Sequence, residues 1–224
     1  MTVCIKSRIR NLNIVIGCPI GCEYCYARCN CRRFHMTDDF SVPVFFERKL
    51  SIMDTKAPAN FLMTGMSDLA YWEPEWVDAV FDRMSENPQN NYLFLTKRPG
   101  MLDMDTDLDC AWMGVTVNGR EDVRRIDELR RNVRAEHYHV TFEPLFDDPG
   151  EVDLDGVEWI VIGTETGRRK GRSVSDPGWV LSLTEQAHAA GARVFMKEDL
   201  LPIVGESRMV QELPPRFTGG CADE

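Results

Sequence analysis

The chain has 224 residues, of which 43% are hydrophobic and 28% charged, as is usual for a globular protein with one buried core. Its formal net charge of −10 disfavours a general nucleic-acid-binding surface, because phosphate contacts need an excess of Lys and Arg. No apolar run approaches the roughly 20 residues that span a bilayer, and the first residues lack the pattern of a secretory signal. We therefore expect a cytoplasmic protein without a membrane partner.

Seven short apolar runs recur along the chain, each followed by polar or glycine residues. They cover residues 12–16, 61–63, 92–95, 112–117, 138–142, 159–162 and 193–196. Runs of this kind are typical of strands buried on both faces of a parallel sheet. Since helical patterns lie between several of them, the sequence predicts a parallel α/β fold, either a doubly wound sheet or a barrel. In both architectures, functional residues gather at the carboxyl ends of the strands.

Three amphipathic helices are predicted between these runs. Pro74 suits the first turn of a helix whose apolar stripe covers residues 76–84. A second apolar stripe covers residues 123–133, with arginines on the opposite face. Asp176 is the expected N-cap of a third helix, which ends at Gly191.

The eight cysteines are unevenly distributed, and five of them fall within fourteen residues. These five are Cys18, Cys22, Cys25, Cys29 and Cys31. Because thiols stay reduced in the cytosol, such clustering indicates metal binding or catalysis rather than disulfides. Cys4, Cys110 and Cys221 are scattered, and we expect them to be buried or idle thiols.

The first three clustered cysteines have the spacing C-x3-C-x2-C and directly follow the first apolar run. Three thiolates this close can converge on one soft metal centre, and Gly17 and Gly21 let the backbone wrap around it. Three protein ligands leave one iron of a [4Fe–4S] cluster open, as in reactive metal sites. Two alternatives remain: a structural zinc site that takes Cys29, Cys31 or His35 as fourth ligand, and an electron-transfer cluster with a fourth cysteine.

This motif, with Tyr24 before its last cysteine and a place after the first strand, resembles the radical S-adenosylmethionine (radical SAM) superfamily. Other segments resemble a phage-associated radical-SAM-like family and the radical SAM mobile pair proteins, which are encoded beside a second radical SAM protein. These segments are residues 64–69, 95–99, 143–145 and 162–167. The resemblance runs from about residue 10 to residue 200.

The resemblance implies a partial (βα)6 TIM-like barrel over residues 1–200, with residues 201–224 as a C-terminal tail. It implies that Cys18, Cys22 and Cys25 hold three irons of a [4Fe–4S] cluster, while the amino and carboxylate groups of SAM chelate the fourth. One electron from the reduced cluster then cleaves SAM to a 5′-deoxyadenosyl radical, which abstracts hydrogen from an unidentified substrate. The alternative function is a non-catalytic iron–sulfur or zinc-binding protein on the same fold.

The resemblance also implies a SAM site at the carboxyl ends of the strands. The residues expected there are Tyr24, Thr64, Gly65, Met66, Ser67, Lys97, Thr116, Asn118, Glu143 and Gly163. Residues 64–67 depart from the usual Gly-Gly-Glu pattern of this place. Lys97 and Glu143 are also the candidate catalytic residues; the alternative is that they pair with each other structurally. His137, His139 and His188 are interpreted as ordinary core or surface residues.

The expected partners are a reductant such as flavodoxin or ferredoxin and a second radical SAM protein. Residues 168–172 form a basic segment after the sixth strand, Arg-Arg-Lys-Gly-Arg. At the active face of a barrel, four cations attract an anionic group such as a phosphate or a carboxylate. The alternative interpretation of this segment is a solvated, flexible loop.

Overall fold

Short strands and helices alternate along the computed structural model, which describes residues 2–167 and 169–220. The strands are β1 (Arg10–Asn11), β2 (Val15–Ile16), β3 (Val44–Phe45), β4 (Asn60–Leu62), β5 (Asn91–Thr96), β6 (Met104–Asp105), β7 (Ala111–Thr116), β8 (Val133–Arg134), β9 (His137–Phe142), β10 (Val157–Ile162) and β11 (Arg193–Met196). The α-helices are α1 (Tyr26–Phe34), α2 (Pro74–Glu86), α3 (Arg124–Asn132), α4 (Pro177–Ala189) and α5 (Leu201–Val204). None of the helices within these described ranges has both the length and the apolar composition needed to cross a membrane.

Seven of the strands form one sheet in the order β1-β4-β5-β7-β9-β10-β11. Every neighbouring pair in it is parallel. The sheet curls into a half-barrel surrounded by helices, which confirms the predicted partial TIM-like α/β fold. Because all seven strands run in the same direction, their carboxyl ends lie along one edge, where polar side chains and loops meet.

The first predicted strand is wrong in its bounds. β1 ends at Asn11, and the next two residues of regular structure, Val15 and Ile16, pair antiparallel with β3 instead. The chain leaves the main sheet between these two strands. The N–H of Leu12 still donates to the Leu62 carbonyl of β4, whereas the N–H of Ile14 donates back to the Leu12 carbonyl. Apolar residues continue through this change of direction, since Val15 and Ile16 of β2 are also buried.

The three predicted amphipathic helices are confirmed as α2, α3 and α4. Pro74 opens α2, and the carboxylate of Asp176 accepts the Gly178 N–H at 2.7 Å to cap α4. Helix α3 begins at Arg124 because residues 120–122 form a 3₁₀ turn first. Helix α1, which directly follows the clustered cysteines, was not predicted.

The floor of the half-barrel is aromatic and includes a residue from near the end of the described chain. The Phe217 ring is centred 4.7 Å from the Trp112 ring and 5.4 Å from the Trp159 ring, edge-on to both. These side chains pack with Ile9 and Phe195 as a cluster separate from the main core. The last turn of the described chain therefore closes the amino-terminal end of the barrel.

A second segment near the end of the described chain covers the edge strand β11. Residues 210–212 run antiparallel to it, with N–H to carbonyl bonds from Met196 to Val210 and from Glu212 to Val194. The Gln211 amide also accepts from the Val3 N–H at 2.7 Å and donates to the Val3 carbonyl at 2.9 Å. These hydrogen bonds join the first residues of the described chain to the segment that covers β11.

His139 lies on the inner face of the barrel, directly beside Gly114 on the neighbouring strand. A β-carbon at Gly114 would stand 2.4 Å from His139 Nε2, so only glycine leaves room for the imidazole. Nε2 is 3.0 Å from the Phe94 carbonyl, whereas Nδ1 has no partner among the described residues. Burial lowers the pKa of His139 to about 4, so the ring is neutral at pH 7 and donates through Nε2.

We predict that Phe217→Ala destabilises the protein by about 3–5 kcal/mol, because it opens a cavity between two tryptophans. The free energy of unfolding by urea measures this loss. Phe34→Ala is the matched control, since that ring is 57% exposed and its removal is expected to change stability by less than about 0.5 kcal/mol. Equal effects of the two changes would contradict the buried position of Phe217.

The two histidines of β9 are expected to affect the pH dependence of stability in opposite directions. Because the folded-state pKa of His139 is depressed, the unfolded state takes up a proton first, and stability falls by about 3 kcal/mol between pH 6.5 and 4. Burial alone would lower the pKa of His137, but its hydrogen bonds to the Glu158 and Asp109 carboxylates raise it above its usual value. His137 therefore stabilises the fold below pH 6.5, and this contribution is lost as the pH rises through its folded-state pKa.

Urea unfolding of His139→Gln and His137→Gln from pH 4 to 8 checks this prediction. The first change is expected to flatten the loss of stability in acid, and the second to deepen it. Parallel curves for both variants and the wild type would refute the assignment of these two environments.

Candidate functional site

Cys18, Cys22 and Cys25 lie on the loop between β2 and α1, at the carboxyl edge of the half-barrel. All three are half-buried and line one cavity of about 460 Å³. Cys25 is the N-cap of α1, and its Sγ accepts the Arg28 N–H at 3.4 Å. The Cys18 N–H donates to the Phe40 carbonyl at 2.6 Å. The loop thus brings the three predicted ligands to the same cavity.

Gly17 holds this loop in place because it has no side chain. Its φ of +125° is rarely adopted by other residues, and a β-carbon would stand 2.5 Å from the Val42 carbonyl oxygen. Its N–H donates to the Met66 carbonyl at 3.0 Å. Gly17 therefore joins the cysteine loop to the segment that follows β4.

The chemistry of these donors fits an iron–sulfur cluster. Burial raises the pKa of the Cys18 thiol to about 11, with smaller contributions in the same direction from Asp68, Cys22 and Cys25. A bound metal removes this cost, because thiolates are its preferred ligands. Among residues 2–167 and 169–220, no three His, Cys, Asp or Glu side chains are grouped to hold a single metal ion. A cubane cluster has a different requirement, since each of its cysteines binds a separate iron.

The other thiols are arranged differently. Cys31 is buried against Ile16 and Phe40, and its Sγ is 3.0 Å from the Thr37 hydroxyl. Cys29 is exposed, and Cys110 is buried beneath β5 and β7. Neither Cys29 nor Cys31 is among the residues that line the cavity. Cys221 lies outside the described residues.

The segment that follows β4 lines the cavity but uses its polar side chains internally. Thr64 Oγ1 accepts the Leu95 N–H at 2.7 Å, and Ser67 Oγ accepts the indole N–H of Trp72 at 3.0 Å. The Gly65 carbonyl accepts the Tyr26 hydroxyl at 2.7 Å. This segment therefore forms part of the wall, and the Gly65 and Met66 carbonyls, which already accept from Tyr26 and Gly17, each keep one further lone pair for a ligand.

Asp68 fastens the ends of two neighbouring strands together. Its carboxylate accepts the Thr96 hydroxyl at 2.6 Å and the Lys97 N–H at 2.8 Å. These bonds hold Lys97 at the cavity, where its Nζ lies 5.9 Å from the centre of the Tyr24 ring. Burial lowers the pKa of Lys97, while the neighbouring Cys22 and Asp68 act in the opposite direction.

Asn118 acts one layer behind the cavity. Its Oδ1 accepts the Tyr24 hydroxyl at 2.8 Å, and its Nδ2 donates to the Pro144 carbonyl at 2.8 Å. The Tyr24 ring also packs edge-on against Phe146, with centroids 5.0 Å apart. Asn118 does not line the cavity, whereas Tyr24 and Thr116 do. The Asn118 amide therefore links the Tyr24 hydroxyl to the Pro144 carbonyl.

Glu143 pairs with Lys197. The alternative interpretation, in which Glu143 pairs with Lys97, is therefore wrong. The Lys197 ammonium donates to the Glu143 carboxylate, and both side chains are largely buried and line the cavity. Gly163 lies between them, because a β-carbon there would stand 3.0 Å from Lys197 and 3.1 Å from Glu143. Burial alone would lower the pKa of Lys197, but the charge of Glu143 outweighs burial and raises it.

Lys197 is a cavity residue that the sequence analysis did not select. The available signal was its position directly after the last apolar run, which is the same position that Lys97 has after an earlier one. His139 was interpreted as an ordinary residue, although it lines the cavity together with Thr141 on β9 and Glu143 directly after it.

One residue of the basic segment after β10, Arg169, forms an ion pair within the protein. Glu165, which is 3% exposed, accepts two bonds from Arg169, at 2.6 and 2.7 Å, and one from the Ser173 N–H at 3.0 Å. Arg168 lies outside the described residues, and Lys170 and Arg172 are exposed. Arg169 therefore serves to close the loop over one side of the cavity.

Two solved structures are similar to this fold over most of its length. One is a cysteine-to-alanine variant of spore photoproduct lyase with dinucleoside spore photoproduct, at a TM-score of 0.47 and 10% identity. The other is spore photoproduct lyase complexed with the same dinucleoside, at a TM-score of 0.45 and 10% identity. Each match covers 84% of this chain and 76% of the other. Likeness at this level carries no functional argument.

Comparison of the sequence with curated proteins finds no match. The family model described as protein of unknown function (DUF5131) matches residues 5–200, which is most of the chain. The chain therefore belongs to the DUF5131 family.

Proposed function

We propose that this protein is a radical SAM enzyme that binds a [4Fe–4S] cluster, reductively cleaves SAM and abstracts hydrogen from a substrate. The observation that carries the proposal is the convergence of Cys18, Cys22 and Cys25 on one cavity with the polar ends of β4, β5, β7 and β9. Three thiols on a glycine-anchored loop leave one iron free for a ligand from the cavity. When bound, the reduced cluster supplies the electron that breaks the S–C5′ bond of SAM.

The residues of the cavity wall are suited to the charged end of SAM. In the proposal, the Lys97 ammonium meets the SAM carboxylate, and the Glu143 carboxylate meets the SAM amino group. Lys197 neutralises Glu143 while the cavity is empty, which offsets the cost of a buried carboxylate. The side chains of Thr64 and Ser67 are already bonded within the protein, so we assign this segment a main-chain role.

A partner that delivers electrons is part of the proposal, and the surface of α1 supports it. Arg28, Arg32 and Arg33 are exposed on this helix, which begins at the third cysteine of the motif. None of the three forms an ion pair with another side chain in the described part of the protein. Since the chain as a whole carries a charge of −10, this local excess of cations favours an acidic electron carrier such as flavodoxin or ferredoxin.

The cysteine assignment predicts that anaerobically reconstituted protein binds about four irons, and that dithionite and SAM then yield 5′-deoxyadenosine. Cys18→Ala, Cys22→Ala and Cys25→Ala are each expected to lower the yield at least about 100-fold, because a missing ligand loosens the cluster. Iron analysis, visible absorption and chromatography of the nucleoside measure these effects.

Cys29→Ala is the matched control, since it removes an exposed thiol four residues beyond the motif, and it should leave both iron and nucleoside unchanged. Bound zinc in place of iron, or iron retained by the triple variant, would refute the proposal. A stable cluster without SAM cleavage, with partner and substrate supplied, would favour a non-catalytic binding protein.

The glycine anchor predicts a selective effect of Gly17→Ala on the cysteine loop. Gly156→Ala is the matched control, because its φ is also positive, at +71°, but no atom lies within 4 Å of the added methyl group. Both changes cost roughly 1–2 kcal/mol for the backbone conformation. Gly17→Ala costs about 1–3 kcal/mol more from overpacking and reduces iron incorporation, whereas Gly156→Ala does not. Equal iron content in the two variants would disprove the anchoring role.

A further inference from the structure

Two threonines lie side by side on the inner face of the half-barrel, on the neighbouring strands β7 and β9. Thr116 and Thr141 are partners in the register of these strands, and both line the cavity. They are only 5% and 8% exposed. Since adjacent strands lie about 4.8 Å apart, the two side chains can contact one bound group at the same time. The sheet therefore presents a pair of hydroxyl groups at one level of the cavity.

Neither hydroxyl has a hydrogen-bond partner among residues 2–167 and 169–220, and the two do not bond to each other. Both oxygens remain accessible, whereas another unpartnered polar atom, the indole Nε1 of Trp112, is sealed inside the protein. Thr64 and Thr164 also line the cavity, but their hydroxyls accept backbone N–H groups of the protein. Because buried polar groups are nearly always hydrogen-bonded, the Thr116 and Thr141 hydroxyls are suited to a group that enters from the cavity.

The cavity wall on either side of this pair is aliphatic. Val161 of β10 is the register partner of Thr141, and Leu95 of β5 lies on the side of β7; both line the cavity. The charged residues Lys97 and Glu143 stand two positions after Leu95 and Thr141 in the chain, which is roughly 7 Å further along the strands. An ion bound between the threonines would therefore lose its hydration without gaining a counter-ion in contact with it.

We propose that Thr116 and Thr141 form a substrate subsite for a neutral group with two neighbouring hydrogen-bonding atoms, such as the N–H and C=O of an amide or a lactam. Because a hydroxyl both donates and accepts, one threonine accepts the N–H while the other donates to the C=O. The aliphatic walls suit the apolar flanks of such a group.

This subsite deepens the proposed function and rests on it only in the claim that the bound group belongs to the substrate. It places Thr116 against the substrate, whereas the resemblance to radical SAM proteins implies a position at SAM. The two assignments differ in whether SAM competes for the hydroxyl pair.

Binding of δ-valerolactam and cyclohexanone to the full-length protein tests the subsite, because the two six-membered rings share one shape and differ in the N–H donor. Magnetic-resonance titration without SAM or reductant is expected to show about fivefold tighter binding of the lactam to the wild type. The double variant Thr116→Val, Thr141→Val keeps the shape of the wall but removes both hydroxyls, and it should lower this preference to less than about 1.5-fold. The double variant Thr116→Ser, Thr141→Ser keeps both hydroxyls and should retain the preference.

Thr184→Val is the matched control, since this threonine of α4 is 7% exposed and does not line the cavity. Its change should leave the preference for the lactam as it is in the wild type. Equal affinities of the wild type for both probes, no binding of either at tens of millimolar, or a preference that persists in the double valine variant would each overturn the subsite.

Urea unfolding of the same variants separates the subsite from a structural role. Because the two hydroxyls have no partner within the described chain, the double valine variant should be at least as stable as the wild type. Thr64→Val removes the acceptor of the Leu95 N–H and should lower the urea midpoint. A double valine variant less stable than the wild type would show that the hydroxyls serve the fold, and it would overturn the subsite.

A titration of cluster-loaded protein with bound SAM, without reductant, assigns the subsite to the substrate or to SAM. The lactam should keep its affinity within about twofold, because the charged end of SAM is expected above the threonines, at Lys97 and Glu143. Displacement of the lactam by SAM would overturn the assignment to the substrate. Since the titrations without SAM need neither a cluster nor SAM cleavage, their failure and that of the proposed function are distinguishable.

Discussion

The close approach of Gly17 to the backbone at Val42 is the contact on which the site depends. It lets the Gly17 N–H reach the Met66 carbonyl, while the next residue, Cys18, donates to Phe40. The cysteine loop is thereby fixed to the end of β4 on one side and to the segment before β3 on the other. Without this anchor, three thiols on a loop would sample many arrangements, and their convergence on one cavity would carry a larger entropic cost.

The three carboxylates at the site each have a hydrogen-bond donor or a counter-ion within the protein. Asp68 is held by donors from β5, Glu165 by Arg169, and Glu143 by Lys197. Asp68 joins the ends of β4 and β5, and the Glu143–Lys197 pair joins the ends of β9 and β11 on either side of β10. The Glu165–Arg169 pair closes a single loop. Lys97 has no salt-bridge partner in the described chain, which leaves it suited to a carboxylate from outside.

The sequence was sufficient to predict the architecture because the strands are buried on both faces and the helices on one. These two patterns have different periods, and the sequence showed them clearly for the strands β5, β7, β9 and β10 and for the helices α2, α3 and α4. The break between β1 and β2 could not be predicted, since it depends on the pairing of β2 with Val44 and Phe45 of β3, about thirty residues further along the chain. Within the site, the sequence located the cysteine ligands and Lys97 but not the partner of Glu143. Two lysines follow strands, and only the order of strands in space decides which one is near.

His139 is a second residue whose surroundings could not be predicted from the sequence. A histidine within an apolar run has no distinctive spacing, and its meaning depends on Gly114, which lies 25 residues earlier and next to it in the sheet. The side chains of Thr64 and Ser67 show that a polar residue at a strand end is not thereby free for a ligand. Both are used by Leu95 and Trp72, which sequence patterns do not reveal.

A barrel that stops halfway leaves two strand edges, and such edges invite other chains to add to the sheet. In this protein the β11 edge is occupied by residues 210–212, whose backbone groups take the bonds that an incoming strand would need. The opposite edge, β1, is two residues long and offers too little backbone to template a new pairing. The open edges of the half-barrel are thus kept from promoting aggregation.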